Sequence, residues 1–156
     1  MAKRALILVG VAGGVLSLGA GEATIRLSDE EAMRIGKRVW QNECAGTVEG
    51  LTSWNAGEHF ASMGIGHFIW YPAGDAGPFE ERFPALLGYL KGRGVGLPPV
   101  FAGAPEIDCP WPDRASFLKD FGGRRMGEMR EFLASTVAEQ ARSEEHTSEL
   151  QSRITI

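Results

Sequence analysis

Ala32, Ile35 and Val39 fall at i, i+3 and i+7, on one side of a stretch whose Arg34, Lys37, Arg38 and Gln41 point elsewhere, and this spacing predicts an amphipathic helix. Ser28 with Glu31 three residues on forms a capping box at its start, and the acidic first turn complements the helix dipole. The stripe ends at i+11 in a carboxylate, Glu43. From Cys44 to Met63 glycine recurs among Thr47, Thr52, Ser53 and Asn55, which suits an irregular or hairpin region. Gly64 to Tyr71 has the β-branched and aromatic content of a short strand or buried turn, closed by Pro72. Phe79, Phe83, Leu86, Leu87 and Leu90 repeat at helical spacing up to Lys91, with Pro78 near the start and Gly92 just beyond the end. Pro84 inside that pattern allows the helix to start only there, with Pro78 to Phe83 as an extended lead-in.

Leu97-Pro98-Pro99 and Cys109-Pro110-Trp111-Pro112 read as extended linkers, and Asp113 as the cap of a short helix through Phe117 and Leu118. A last helix is expected over Arg124 to Ala141, with Met126, Met129, Phe132, Leu133, Thr136 and Val137 on one side. The pattern as a whole predicts an α+β, mainly α-helical domain with a small β or irregular lobe after the first helix.

The two ends read differently from the middle. Lys3 and Arg4 precede an apolar, glycine-interrupted run of about 16 residues and then small residues. Residues 1–23 are therefore expected to be a secretory signal, with an uncleaved N-terminal anchor as the alternative, and the protein to be periplasmic or secreted. At the other end, the eleven residues Arg142 to Ser152 resemble the translation of a common sequencing-library adapter. Residues 142–156 are expected to be an artefactual tail, the natural C-terminus to be missing, and the folded unit to be residues 24–141.

The chain has 156 residues, 44% of them hydrophobic, which is one domain's worth of sequence with a real core. A net charge of −4 gives no basic footprint for nucleic acid and excludes a DNA-binding module. Glycine, at 21 residues, is neither periodic nor confined to one tract, which excludes collagen-like and low-complexity chains.

Candidate chemistry begins at Glu43. A carboxylate on the apolar side of a helix end is expected to be partly desolvated, and desolvation moves a carboxyl toward the range a general acid needs. Glycosidases protonate the leaving oxygen of a sugar bond this way, with a second carboxylate nearby. Asn42-Glu43, a hairpin-like interval and then Ser62-Met63-Gly64-Ile65-Gly66-His67-Phe68 resemble the lysozyme-like superfamily, phage-type lysozymes especially, over roughly residues 30–70.

The resemblance implies a lysozyme-like fold acting on β-1,4 bonds of peptidoglycan or a related glycan, with no cofactor and no metal. It casts Glu43 as the general acid, Ser62 as the hydroxyl that holds the attacking water, and His67, with Gly64 and Gly66, as structural. The position of the family's second acid falls at Ala56, beside Asn55, so that role is open between Glu58, which lies nearer the matching turn, and Glu49. With neither, the chemistry becomes that of lytic transglycosylases, in which one glutamate serves as acid and then base. From another class, the alternative is a non-catalytic glycan-binding or envelope-structural protein with the same cleft.

Trp54 and Tyr71 offer flat faces for stacking on sugars and, with Asn55, make the candidate substrate-binding set, while Trp40, Trp70 and Trp111 read as core. Cys44 and Cys109 are the only cysteines, and in an exported chain their first reading is a disulfide. A rival reading makes Cys44 a nucleophile with His59 or His67 as base. A metal site from His59, His67 and Glu58 has no recognised ligand spacing.

Overall fold

The computed structural model of the chain describes residues 26–101 and 107–154; the expected secretory signal lies outside the described residues. Helix α1 spans Asp29–Glu43 and starts with the capping box: Glu31 N donates to Ser28 Oγ at 3.2 Å and Ser28 N donates to the Glu31 carboxylate at 3.0 Å. Those bonds hold the Glu31 carboxyl below the usual carboxylate range. A 3-10 turn at Glu49–Leu51 leads into a three-stranded antiparallel sheet, β1 Thr52–Ser53, β2 Ala61–Met63 and β3 Phe68–Trp70, in chain order. Ser62 pairs with Ser53 on one side and Ile69 on the other. Helices α2 (Phe83–Gly92), α3 (Arg114–Lys119), α4 (Arg124–Ser135) and α5 (Val137–Ile154) complete an α+β fold that is mostly helical. Among the described residues no helix is long and apolar enough to cross a membrane.

Helix α2 starts at the later of the two expected points, with Pro84 in its first turn, where a missing N–H costs nothing. The residues before it run beside β3: Arg82 N donates to Ile69 O at 3.0 Å, and Tyr71 N donates to the Glu81 carboxylate at 2.8 Å. Asp113 caps α3, accepting from Ser116 N at 2.7 Å. The core gathers Trp70, Trp111, Phe83 and Phe117 from four different segments, with Met126 and Leu133 of α4. Arg130 of α4 is buried among them; its Nε donates to Thr52 Oγ1 at 2.9 Å, its Nη1 to Phe121 O at 2.8 Å, and its guanidinium lies 4.0 Å over the Phe121 ring. It ties the sheet to the helical side.

The expected single last helix is two. Its apolar side is buried as the periodicity requires, but the helix breaks at Thr136. There the Thr136 hydroxyl donates back to Phe132 O at 2.9 Å, and Gln140 Nε2 donates to Leu133 O at 2.7 Å and Thr136 Oγ1 at 3.0 Å. Side chains thus take over the carbonyls that the next helical turn would have used. Helix α5 then continues through the adapter-like stretch to Ile154, with Ser143 buried and Glu144 2.9 Å from Arg82 Nη2. No glycine or proline interrupts Val137 to Ile154, so nothing local ends the helix at Ala141.

Helix α1 packs mainly on α5. Gly36 makes the approach close: a Cβ there would stand 2.7 Å from Val137 Cγ1 and 2.8 Å from Val137 O. The buried face is centred on Ala32 and Gly36, with Val39 and Trp40 partly buried, while Ile35 stands at its margin, exposed.

Candidate functional site

The chain turns sharply after Glu43. Cys44 N and Gly46 N both donate to Trp40 O, at 2.9 and 3.1 Å, and Ala45 and Gly46 both have positive φ, which ends α1 at its carboxylate. Glu43 falls on the same helical face as Ala32 and Gly36, as its spacing requires, but at the last residue, where it is exposed. The partial desolvation expected of it is therefore absent: the face is covered where α5 crosses at Gly36 and is open at its end.

The Gly64-Ile65-Gly66-His67 string forms the turn between β2 and β3. Gly64 has φ +73° and His67 φ +48°; Gly64 N donates to Leu51 O at 2.8 Å, and Ile65 N to Gln140 Oε1 at 2.9 Å. A Cβ on Gly66 would meet the Phe68 ring at 3.0 Å. This turn docks on the end of α1 through Cys44, whose buried Sγ lies 3.7 Å from Gly64 O and 3.7 Å from His67 Nε2. Burial, with the Glu43 charge, pushes the Cys44 thiol up to about 11. Of the rival reading's two candidate bases, His67 does meet Cys44, but burial favours the neutral thiol, which is the opposite of an activated thiolate.

The expected disulfide is absent. Both cysteines are free and buried; Cys109 Sγ donates to Trp111 O at 3.6 Å, and burial pushes its thiol up to about 12. Each thiol has its own backbone acceptor, and an even cysteine count carries no information about which sulfurs lie together.

Ser62, in the middle of β2, is buried; it shares a sheet face with Ser53 and Ile69, opposite to the core-facing Ala61 and Met63. Asn55 and Ala56 are exposed on the loop between β1 and β2, and Glu49 is exposed on the 3-10 turn. Trp54 is buried, its ring edge-on to Phe117 at 5.8 Å and its Nε1 donating to Glu58 O at 2.8 Å, so no flat face is offered to a sugar. Tyr71 is likewise buried, its hydroxyl donating to Phe79 O at 3.3 Å.

Glu58 lies elsewhere than Glu43. It lines two adjoining cavities, one of about 510 Å³ with Gly57, His59, Phe60, Tyr71 and the segment Asp75 to Phe79, the other of about 300 Å³ with Trp54, Pro72 and the start of α3. His59 and Asp75 line both, and neither Glu43 nor Ser62 lines either. One Glu58 oxygen, Oε2, is shut off from solvent without a hydrogen-bond partner. His59 and Glu58 are thus together while His67 is at the hairpin turn, and no metal-holding group of three forms among the described residues. Asp75 escaped sequence reasoning; the Gly74-Asp75-Ala76-Gly77-Pro78 run marked a turn but not the residues facing it.

In comparisons with known proteins, no family model, no curated protein and no solved structure matches the chain.

Proposed function

We propose that the protein cleaves the β-1,4 bonds of peptidoglycan or a related glycan, with Glu43 as general acid. The observation that supports this reading is the docking of the Gly-Ile-Gly-His turn onto the end of α1 through Cys44, which holds the hairpin against the residue next to Glu43. A helix ending in a glutamate, followed by a small antiparallel sheet, is the order that the lysozyme-like resemblance implies. Glu43 gives its proton to the glycosidic oxygen as the bond to the anomeric carbon breaks. With Ser62 buried and Glu58 lining separate cavities, Glu43 acts alone: either a water adds to that carbon, or the sugar's own hydroxyl closes on it to give an anhydro product, the proton lost in either case returning to the Glu43 carboxylate. Because Glu43 is exposed, the glycan chain itself must cover it and exclude water for the acid to work. The substrate lies outside the plasma membrane, which fits the exported location expected from residues 1–23.

The second reading, a glycan-binding protein without turnover, is favoured by the exposure of Glu43 and by its separation from the cavities that Glu58 lines. Digestion of purified peptidoglycan, with products resolved by mass, decides between them. Glu43→Gln is expected to lower turnover by roughly 10²–10⁴-fold while leaving glycan retention intact. Reducing-end products mark hydrolysis and anhydro products mark transglycosylation. Wild type and variant that bind alike and release nothing overturn the enzyme reading.

A further inference from the structure

Glu43 occupies a poor place on α1 for a carboxylate that has to stay still. It is the last helical residue, its charge meets the negative end of the helix dipole, and the last turn carries no basic side chain to offset it. Such a turn frays in water, and a frayed acid is not held against the bond it has to protonate. We propose that Trp40 is the positioning residue that fixes Glu43, clasping the chain beyond the acid with both its backbone and its ring.

The role of Glu43 rests on the glycosidase reading; the clasp rests on geometry. Trp40 O accepts from Cys44 N at 2.9 Å and from Gly46 N at 3.1 Å, while the indole Nε1 donates to Thr47 O at 2.7 Å. Three of the four residues that follow Glu43 are thus bonded to one residue three positions before it. The two backbone bonds belong to any tight helix end, but the indole bond does not: it reaches seven positions along the chain.

Thr47 passes the constraint back toward the acid. Its amide and its hydroxyl both donate to Cys44 O at 3.2 Å, and Gly50 N donates to the same hydroxyl at 3.1 Å. A Cβ on Gly50 would collide with Cys44 O, so the loop lies directly on that carbonyl. The circuit from Trp40 to Thr47 to Cys44 closes around Glu43. The Trp40 ring is partly buried, packed against the core from outside, which leaves its N–H free to serve the loop. Cys44 fastens the hairpin turn to this loop, whereas Trp40 fastens the loop to the helix.

Two replacements of Trp40 test the role: Trp40→Phe, and the benzothiophene analogue of tryptophan, which keeps the shape of the ring and puts sulfur in place of the N–H. In both, kcat on soluble peptidoglycan fragments is expected to fall about tenfold with KM little changed, because the acid is displaced and the rest of the glycan contact is not. Amide exchange at Gly46 and Thr47 is expected to quicken about tenfold, while Gly64 and Ile65, bonded to Leu51 O and Gln140 Oε1, keep their rates. The analogue is expected to keep the wild-type unfolding midpoint. An analogue with wild-type kcat, whether or not its loop amides exchange faster, overturns the positioning role and leaves Glu43 as the acid. Wild-type protein that releases no product overturns the glycosidase reading and this role together.

Discussion

Cys44 and Cys109 are both buried, and each thiol lies within hydrogen-bonding reach of a backbone carbonyl. Burial raises both thiols, from the ordinary 9.0 to about 11 for Cys44 and about 12 for Cys109. The unfolded chain therefore ionises first as pH rises. The stability that the neutral thiols contribute is fully present below about pH 9, and falls as pH rises through the window up to about 11–12. Urea midpoints measured from pH 8 to 11 are expected to decline, and the decline to shrink in the Cys44→Ala and Cys109→Ala variants; a flat profile contradicts the raised thiols. At pH 8 a thiol reagent is expected to react slowly with the native protein and to find two thiols after unfolding without reductant. At this scale the sequence was readable where the partner is three residues away, as in the bonds of Ser28 to Glu31 and Asp113 to Ser116. It was unreadable where partnership depends on tertiary placement, as for the cysteines.

Among elements, the tightest joint is the crossing of α1 and α5 at Gly36. Alanine there gains up to about 1 kcal/mol of helix propensity, but its Cβ meets a backbone carbonyl that has nowhere to go. Overpacking of this kind costs about 1–3 kcal/mol, so Gly36→Ala is expected to be a net loss. Gly88 of α2 has open space around it, and Gly88→Ala is expected to stabilise by about 0.5–1 kcal/mol. Denaturant midpoints that move in opposite directions for the two alanines check the argument, and a gain for both refutes the close crossing. The capped helices and the start of α2 followed from local chemistry. The α4–α5 break did not, because the apolar period runs on through Thr136 and Val137, and the interruption is made by Thr136 and Gln140 side chains reaching carbonyls one and two turns back.

For the whole molecule, the contiguous parts of the candidate site were legible: Glu43 closes its helix and Gly64 to His67 form a single turn. The adjoining cavities were not, since Glu58 and Asp75 stand seventeen positions apart, brought to one place by the β2–β3 hairpin between them. The adapter-like end of α5 adds the partly exposed Arg82–Glu144 pair, the Arg142 pairs with Asp29 and Glu139, the buried Ser143 and a contact of His146 with the Tyr89 ring, and such surface ion pairs are each worth at most about 1 kcal/mol. A chain ending at Ala141 is accordingly expected to keep a single cooperative transition with a slightly lower midpoint, and a broadened or lost transition would make the tail part of the fold. Cooperativity of that kind has a physical seat in Gln140, which accepts from Ile65 N and donates to Leu133 O and Thr136 Oγ1. The backbone amide of a hairpin turn is thus tethered to the corner between two helices. Its proton can trade with deuterium only when that corner comes apart, so the sheet and the helices keep time on one clock of opening and closing.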